Sequence, residues 1–223
     1  MIRQLAFDLP AREAWRREDF FPSPANAAAL AAVDDWRNWP GGKLVLTGPK
    51  GSGKTHLARL WAAEAGAALL PAADLATADL PALSSHGAVA VENAETAAGN
   101  PQAEAAFFHL HNLVTQSGHL LVTASLPPRD WGLALPDLAS RLQAAALARI
   151  EPPDDALLSA VLIKLFADRQ ITVPPALIPY LVARMERSID AARAIVAALD
   201  ARALAEGRPI TRQLAADLLG SID

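Results

Sequence analysis

Gly48-Pro49-Lys50-Gly51-Ser52-Gly53-Lys54-Thr55 is the stretch that decides the fold. It has the spacing G-x-x-x-x-G-K-[S/T], and its surroundings are those the pattern requires. The apolar run Lys43–Thr47 reads as a strand before it, and Lys54 to Gly66 reads as a helix after it. Glycines let consecutive backbone N–H groups converge on one phosphate, and the start of the helix adds its positive end. Lys54 is placed to reach a β- or γ-phosphate and Thr55 to offer its hydroxyl to Mg2+, and His56 is the last nucleotide-binding candidate of this stretch. Lys54 is expected to face solvent when no nucleotide is bound. The chemistry is that of a nucleotide-phosphate site with Mg2+.

Outward from this turn, short apolar stretches alternate with helical ones. Ala67–Leu70, Ala88–Val91 and Leu120–Thr123 read as further strands; Gln102 to Gln116 reads as a helix with Phe107, Leu110, Leu113 and Val114 on one side. Asn26 is expected to cap an alanine-rich helix that runs to about Trp36. This alternation predicts an α/β fold, a parallel sheet flanked by helices. The pattern stops near Ile150. Beyond Pro152 and Pro153 the chain reads as all helix, at about 154–168, 175–186, 188–206 and 211–219, with Ser188 and Thr211 as caps. The expected organisation is an extended arm at 1–10, a nucleotide-binding α/β domain at 11–151 and a small helical lid domain at 152–223.

Composition narrows the function classes. The chain has 223 residues, 50 of them alanine, and 52% of it is hydrophobic, which suits a helix-rich globular protein. Cysteine is absent, excluding a disulfide scaffold and thiolate chemistry. The formal net charge of -4 and the lack of a basic stripe disfavour sequence-blind nucleic-acid binding, so DNA is expected to be met only indirectly. The longest uncharged run, Ala105 to Pro128, carries three histidines and paired prolines, and is not a membrane span. Asp8 comes too early for a signal-peptide core. A cytoplasmic location is expected.

A phosphate loop that hydrolyses ATP needs an acidic residue at the end of a neighbouring strand for the metal, and a second group to activate water. The strand ending at Val91 delivers Glu92 and Asn93. Glu92 fits the metal role. Asn93 stands at the base position and cannot serve, because an amide has no useful proton affinity at pH 7. The plainer alternative is that Glu92-Asn93-Ala94-Glu95 is a polar strand exit.

The order of the phosphate loop, the Glu92 strand, Leu121-Val122-Thr123-Ala124-Ser125, Leu135-Pro136-Asp137-Leu138-Ala139-Ser140-Arg141-Leu142 and a helical lid resembles an AAA+ module of the DnaA-related family. It is most similar to that family's shortened Hda branch, the DnaA-regulatory inactivators, in the alphaproteobacterial form. The resemblance implies that Arg141 is an arginine finger acting in trans on nucleotide held by a neighbour; from the residues alone, a helical cap or an ion pair with Asp137 stays open. It implies that Ser125 stands at the sensor 1 position, without the usual charge. It puts Asp190 at the sensor 2 position, where the family has an arginine, so that Arg187 or Arg193 would take over, or both would simply be solvated surface. Asn26 borders the adenine by the same analogy, or is only a cap. Gln4, Leu5, Phe7 and Leu9 resemble the peptide that docks on the DNA polymerase sliding clamp.

The function implied is negative regulation of replication initiation. The chain would bind ADP or ATP, dock on the clamp (the polymerase III beta subunit) and stimulate ATP hydrolysis by the DnaA initiator, with a homodimer expected. The chain is expected to lack the DNA-binding domain of DnaA. Two other readings compete: an independent AAA+ ATPase, against which Asn93 argues, and a replication-loading or origin-assembly adaptor, which would have no use for a clamp arm.

Overall fold

The computed structural model describes Arg17 and residues 20–220. The arm residues Gln4, Leu5, Phe7 and Leu9 lie outside the described residues. Helix α1 (Ala27–Asp34) precedes strand β1 (Lys43–Thr47) and helix α2 (Lys54–Ala65). Then follow β2 (Ala68–Pro71), α3 (Leu80–Ser84), β3 (Ala88–Glu92), α4 (Pro101–Val114), β4 (His119–Ala124), α5 (Pro136–Gln143) and β5 (Ala146–Arg149). Four helices complete the described chain: α6 (Asp155–Asp168), α7 (Leu177–Val182), α8 (Ile189–Glu206) and α9 (Arg212–Leu219).

The strands form a parallel sheet in the order β2-β3-β4-β1-β5. Val45 pairs with Val122, which pairs with Val91, so the residues after β1, β3 and β4 emerge along one edge. Parallel strands need crossover connections, and here the helices on those connections cover both faces. Alternation within the strands sorts the core. Val45, Val89, Val91, Leu120 and Val122 pack under Phe107, Leu110 and Val114 of α4 and Leu138 and Leu142 of α5. Leu44, Leu46, Ala88, Ala90 and Leu121 face Leu57, Ala58 and Trp61 of α2 and Ala29 and Val33 of α1. The C-terminal helices bury a cluster of their own, including Leu158, Leu162, Phe166, Leu181, Val196 and Leu214.

The sheet has a strand that the sequence pattern does not reveal. β5 is Ala-Leu-Ala-Arg, poor in β-branched residues, and Leu147 is 56% exposed, as befits an edge. Its strand state comes from pairing with β1, Leu44 against Ala146 through Thr47 against Arg149. Helix α3 is likewise unanticipated, and its N-terminus is held by the Asp79 carboxylate accepting from Ala82 N–H at 3.1 Å. Helix α7 is shorter than expected: Pro174 and Pro175 offer no N–H, and Leu177 N–H closes on Pro174 O at 2.9 Å. Ser188 and Thr211 do cap their helices, accepting from Ala191 and Leu214 N–H at 3.2 and 3.3 Å.

Asn26 needs correction. It precedes α1 without a side-chain cap bond. Its Oδ1 accepts from Ser23 N–H at 2.8 Å, and its Nδ2 donates to Phe21 O at 2.9 Å. The buried amide therefore folds the Phe21–Ser23 turn rather than the helix that follows.

Candidate functional site

Gly48–Gly53 joins β1 to α2 at the edge where the parallel strands end. Two of its glycines are required by contact. A Cβ at Gly48 would sit 2.6 Å from Ile150 O, a backbone atom that cannot yield. Gly51 has φ +69° and is covered by Ser188 of the helical segment. Ile189 N–H donates to Gly51 O at 2.7 Å, so the start of α8 is fastened to the loop. Helix α2 begins at Gly53 with no side-chain cap and no acidic residue in its first turn, leaving its N-terminal donors for an anion.

Lys54 is buried, 7% exposed, contrary to the expectation of a solvent-facing side chain. Its ammonium donates to Gly48 O at 2.7 Å and Pro49 O at 2.9 Å, so the loop's own carbonyls stand where phosphate oxygens would. Burial lowers its pKa, opposed by the nearby charges of Glu95 and Asp190. Thr55 is half-buried in the first turn of α2, and Lys50 is exposed at the loop's tip. Phe20 meets the His56 ring edge-on at 5.4 Å, and Glu151 N–H donates to Ala25 O at 2.8 Å, which ties residues 20–26 alongside the loop.

The β3 exit holds two carboxylates in unequal settings. Glu92 is 6% exposed, and its Oε1 is buried without a hydrogen-bond partner. Such an oxygen suits a divalent cation or that cation's water shell. The chemistry of Glu92 and Thr55 thus fits Mg2+ carried in with a nucleotide; among the described residues no cluster of three or more His, Asp or Glu gathers to hold a metal alone. Asn93 is exposed and left-handed at φ 53°, its N–H bonded to Thr123 Oγ1 at 3.2 Å, and it starts the 3-10 turn Ala94–Ala97. That turn carries Glu95 back over the sheet edge, where its Oε1 accepts from Ser125 N–H at 2.8 Å. Sequence reasoning left Glu95 inside a polar strand exit; only its spacing of three from Glu92 was there to be noticed.

The helical segment contributes Asp190, whose carboxylate lies 3.8 Å from Arg193. Arg187 is engaged elsewhere, donating to Pro153 O at 3.2 Å and pairing with Asp155 at 2.8 Å.

Arg141 stands apart from this site. It is exposed in the last turn of α5, with its guanidinium 5.1 Å from the Phe108 ring centre rather than on Asp137. Its charge is felt by Lys43 and by His111, which lie 3.2 Å apart. Lys43 opens β1 and Gly48 follows its end, so five residues at about 3.3 Å each separate the two groups. His111 is 2% exposed and is driven down to about 4, by burial first and then by Lys43 and Arg141.

No family model matches the chain. Solved structures match its fold. Domain III of the replication initiation protein DnaA from Thermotoga maritima superposes with a TM-score of 0.78 at 18% identity, over 96% of this chain and 98% of that one. AMPPCP-bound DnaA from Aquifex aeolicus gives 0.67 at 17% identity, over 82% of this chain and 64% of that one. The FIGL-1 AAA domain in complex with ADP gives 0.66 at 14% identity, over 86% and 77%. The chain spans just under two thirds of the AMPPCP-bound DnaA structure. It has the AAA+ fold of DnaA domain III. No helix among the described residues is long and apolar enough to cross a membrane.

Proposed function

We propose that this chain is a nucleotide-bound regulator that switches off a DnaA-type initiator by stimulating the initiator's ATP hydrolysis. ADP or ATP with Mg2+ occupies the Gly48–Thr55 loop, and residues 4–9 dock on the sliding clamp. Arg141 reaches the nucleotide held by the initiator. The observation that carries the reading is the position of Arg141: exposed, in the company of Lys43, at the sheet edge opposite the chain's own phosphate loop. A guanidinium there has no access to its own nucleotide, yet offers a rigid fork to the phosphates of a neighbour. The uncharged Asn93 supports weak turnover by the chain itself.

Replacing Arg141 by alanine tests this in a reconstituted mixture of ATP-bound initiator, clamp and DNA. Stimulated hydrolysis should fall by about 10^3-fold, in the range of known fingers. Nucleotide affinity and clamp docking should hold, because the contact strengthens only in the transition state. Full stimulation by the variant would reject the reading. Arg141→Lys should rescue little, having no planar fork.

A further inference from the structure

The two positions from which this site would draw a second charge are both neutral: Asn93 after β3 and Ser125 after β4. Between them the structure inserts Glu95. One of its oxygens is fixed by Ser125 N–H at 2.8 Å. The other, Oε2, is buried with no hydrogen-bond partner, as is Oε1 of Glu92 on the same strand exit. A carboxylate that has lost its hydration on one side and gained nothing in return is costly to keep, unless a cation or bound water arrives there. The charge of Glu95 already reaches Lys54, which locates it on the phosphate side of the sheet edge. Mg2+ dehydrates reluctantly and is held through one or two carboxylates and its own waters, together with substrate phosphates. Two carboxylates, each with a buried oxygen that lacks a partner, at the sheet edge that also carries the phosphate loop match that demand.

We propose that Glu95 is the second carboxylate of the nucleotide site, holding with Glu92 the water shell of the divalent cation that accompanies the nucleotide. The proposal rests on the reading of Gly48–Thr55 as a nucleotide site. Glu95 is a positioning residue here: it orients waters on the cation, and its backbone anchor at Ser125 fixes the direction. The 3-10 turn is what makes this possible, because it returns the third residue after Glu92 to the edge that Asn93 leaves.

The test is titration of the purified chain with a fluorescent ADP, once with Mg2+ and once with EDTA. Wild type should bind more tightly with Mg2+. Glu95→Gln should reduce that gain by about 10- to 100-fold, the usual cost of losing an outer-shell partner of a metal, and should leave binding in EDTA unchanged or slightly tighter. Glu92→Gln should behave alike. A Glu95→Gln protein that keeps the wild-type Mg2+ gain overturns this proposal alone. A wild type that binds no ADP under either condition overturns the nucleotide reading and this with it. The amide retains an oxygen to accept from Ser125 N–H, so the variant's melting temperature without ligand should match wild type; if it unfolds instead, Glu95 is a structural anchor and the proposal fails.

Discussion

The two ends of strand β1 carry opposite kinds of electrostatics. At its C-terminal end, Lys54 is surrounded by the loop's carbonyls and lies within reach of Glu95 and Asp190, so positive and negative groups answer one another. At its N-terminal end, burial first and then the charge of Arg141 push Lys43 toward its neutral form, and burial, Lys43 and Arg141 keep His111 neutral. A mixed set can receive a phosphate and its cation within a single chain. The positive charges of Lys43 and Arg141 at the other end can be answered by an anion from outside. Under the proposed function, one end keeps a ligand and the other meets a partner.

The largest way to break this contrast after the Arg141 change lies at the first end. Lys54→Ala should weaken ADP binding at least about 100-fold, the worth of a charge-assisted bond to phosphate, as read by equilibrium titration. It should also cost about 1–2 kcal/mol of stability, since two buried carbonyls lose their donor. Stimulation of the initiator through Arg141 should then fall only through lost occupancy and recover at saturating nucleotide.

The second end should show itself in pH dependence. His111 has a folded pKa depressed to about 4 from 6.5. The unfolded state therefore binds more protons between these values, and stability present above about pH 6.5 is lost as pH falls toward 4. Urea unfolding at pH 7 and pH 5 should show a loss of about 2 kcal/mol from this group, and His111→Gln should remove that part of the difference. The same variant should leave the Mg2+ dependence of ADP binding untouched, which sharpens the separation of the two ends.

The smallest expected effect concerns the helical segment where it meets the loop. Ser188→Ala removes the cap bond to Ala191 N–H and should cost about 1 kcal/mol, measured by thermal unfolding. Because Ser188 also packs over Gly51, nucleotide affinity should shift by only a few-fold.

Much of the site was legible because its logic is local. The glycine spacing, the strand before it and the helix after it are contiguous in the chain, and a motif of that kind carries its geometry in its own backbone. The placement of Glu92 followed from an apolar run of four ending in a charge. Asn26 was read as a helix cap, but an amide before a helix can bond forward or backward; here it bonds backward, to Phe21 and Ser23.

By itself the sequence determined the glycine-rich loop between β1 and α2, four of the five described strands, the caps at Ser188 and Thr211, and the change to all helix after Pro153. Each follows from residues within a few positions of one another, where periodicity and backbone chemistry act directly. Tertiary structure alone decided the rest. β5 became a strand by pairing with β1, against the preference of its alanines. Lys54 became buried because the loop's carbonyls close on it. Glu95 was anchored at the sheet edge because β3 and β4 are neighbours, which brings it to a partner 30 residues away at Ser125. Arg141 came to the far edge because α5 runs back across the sheet before β5 begins. These contacts depend on strand order and crossover direction, which no short window of sequence encodes.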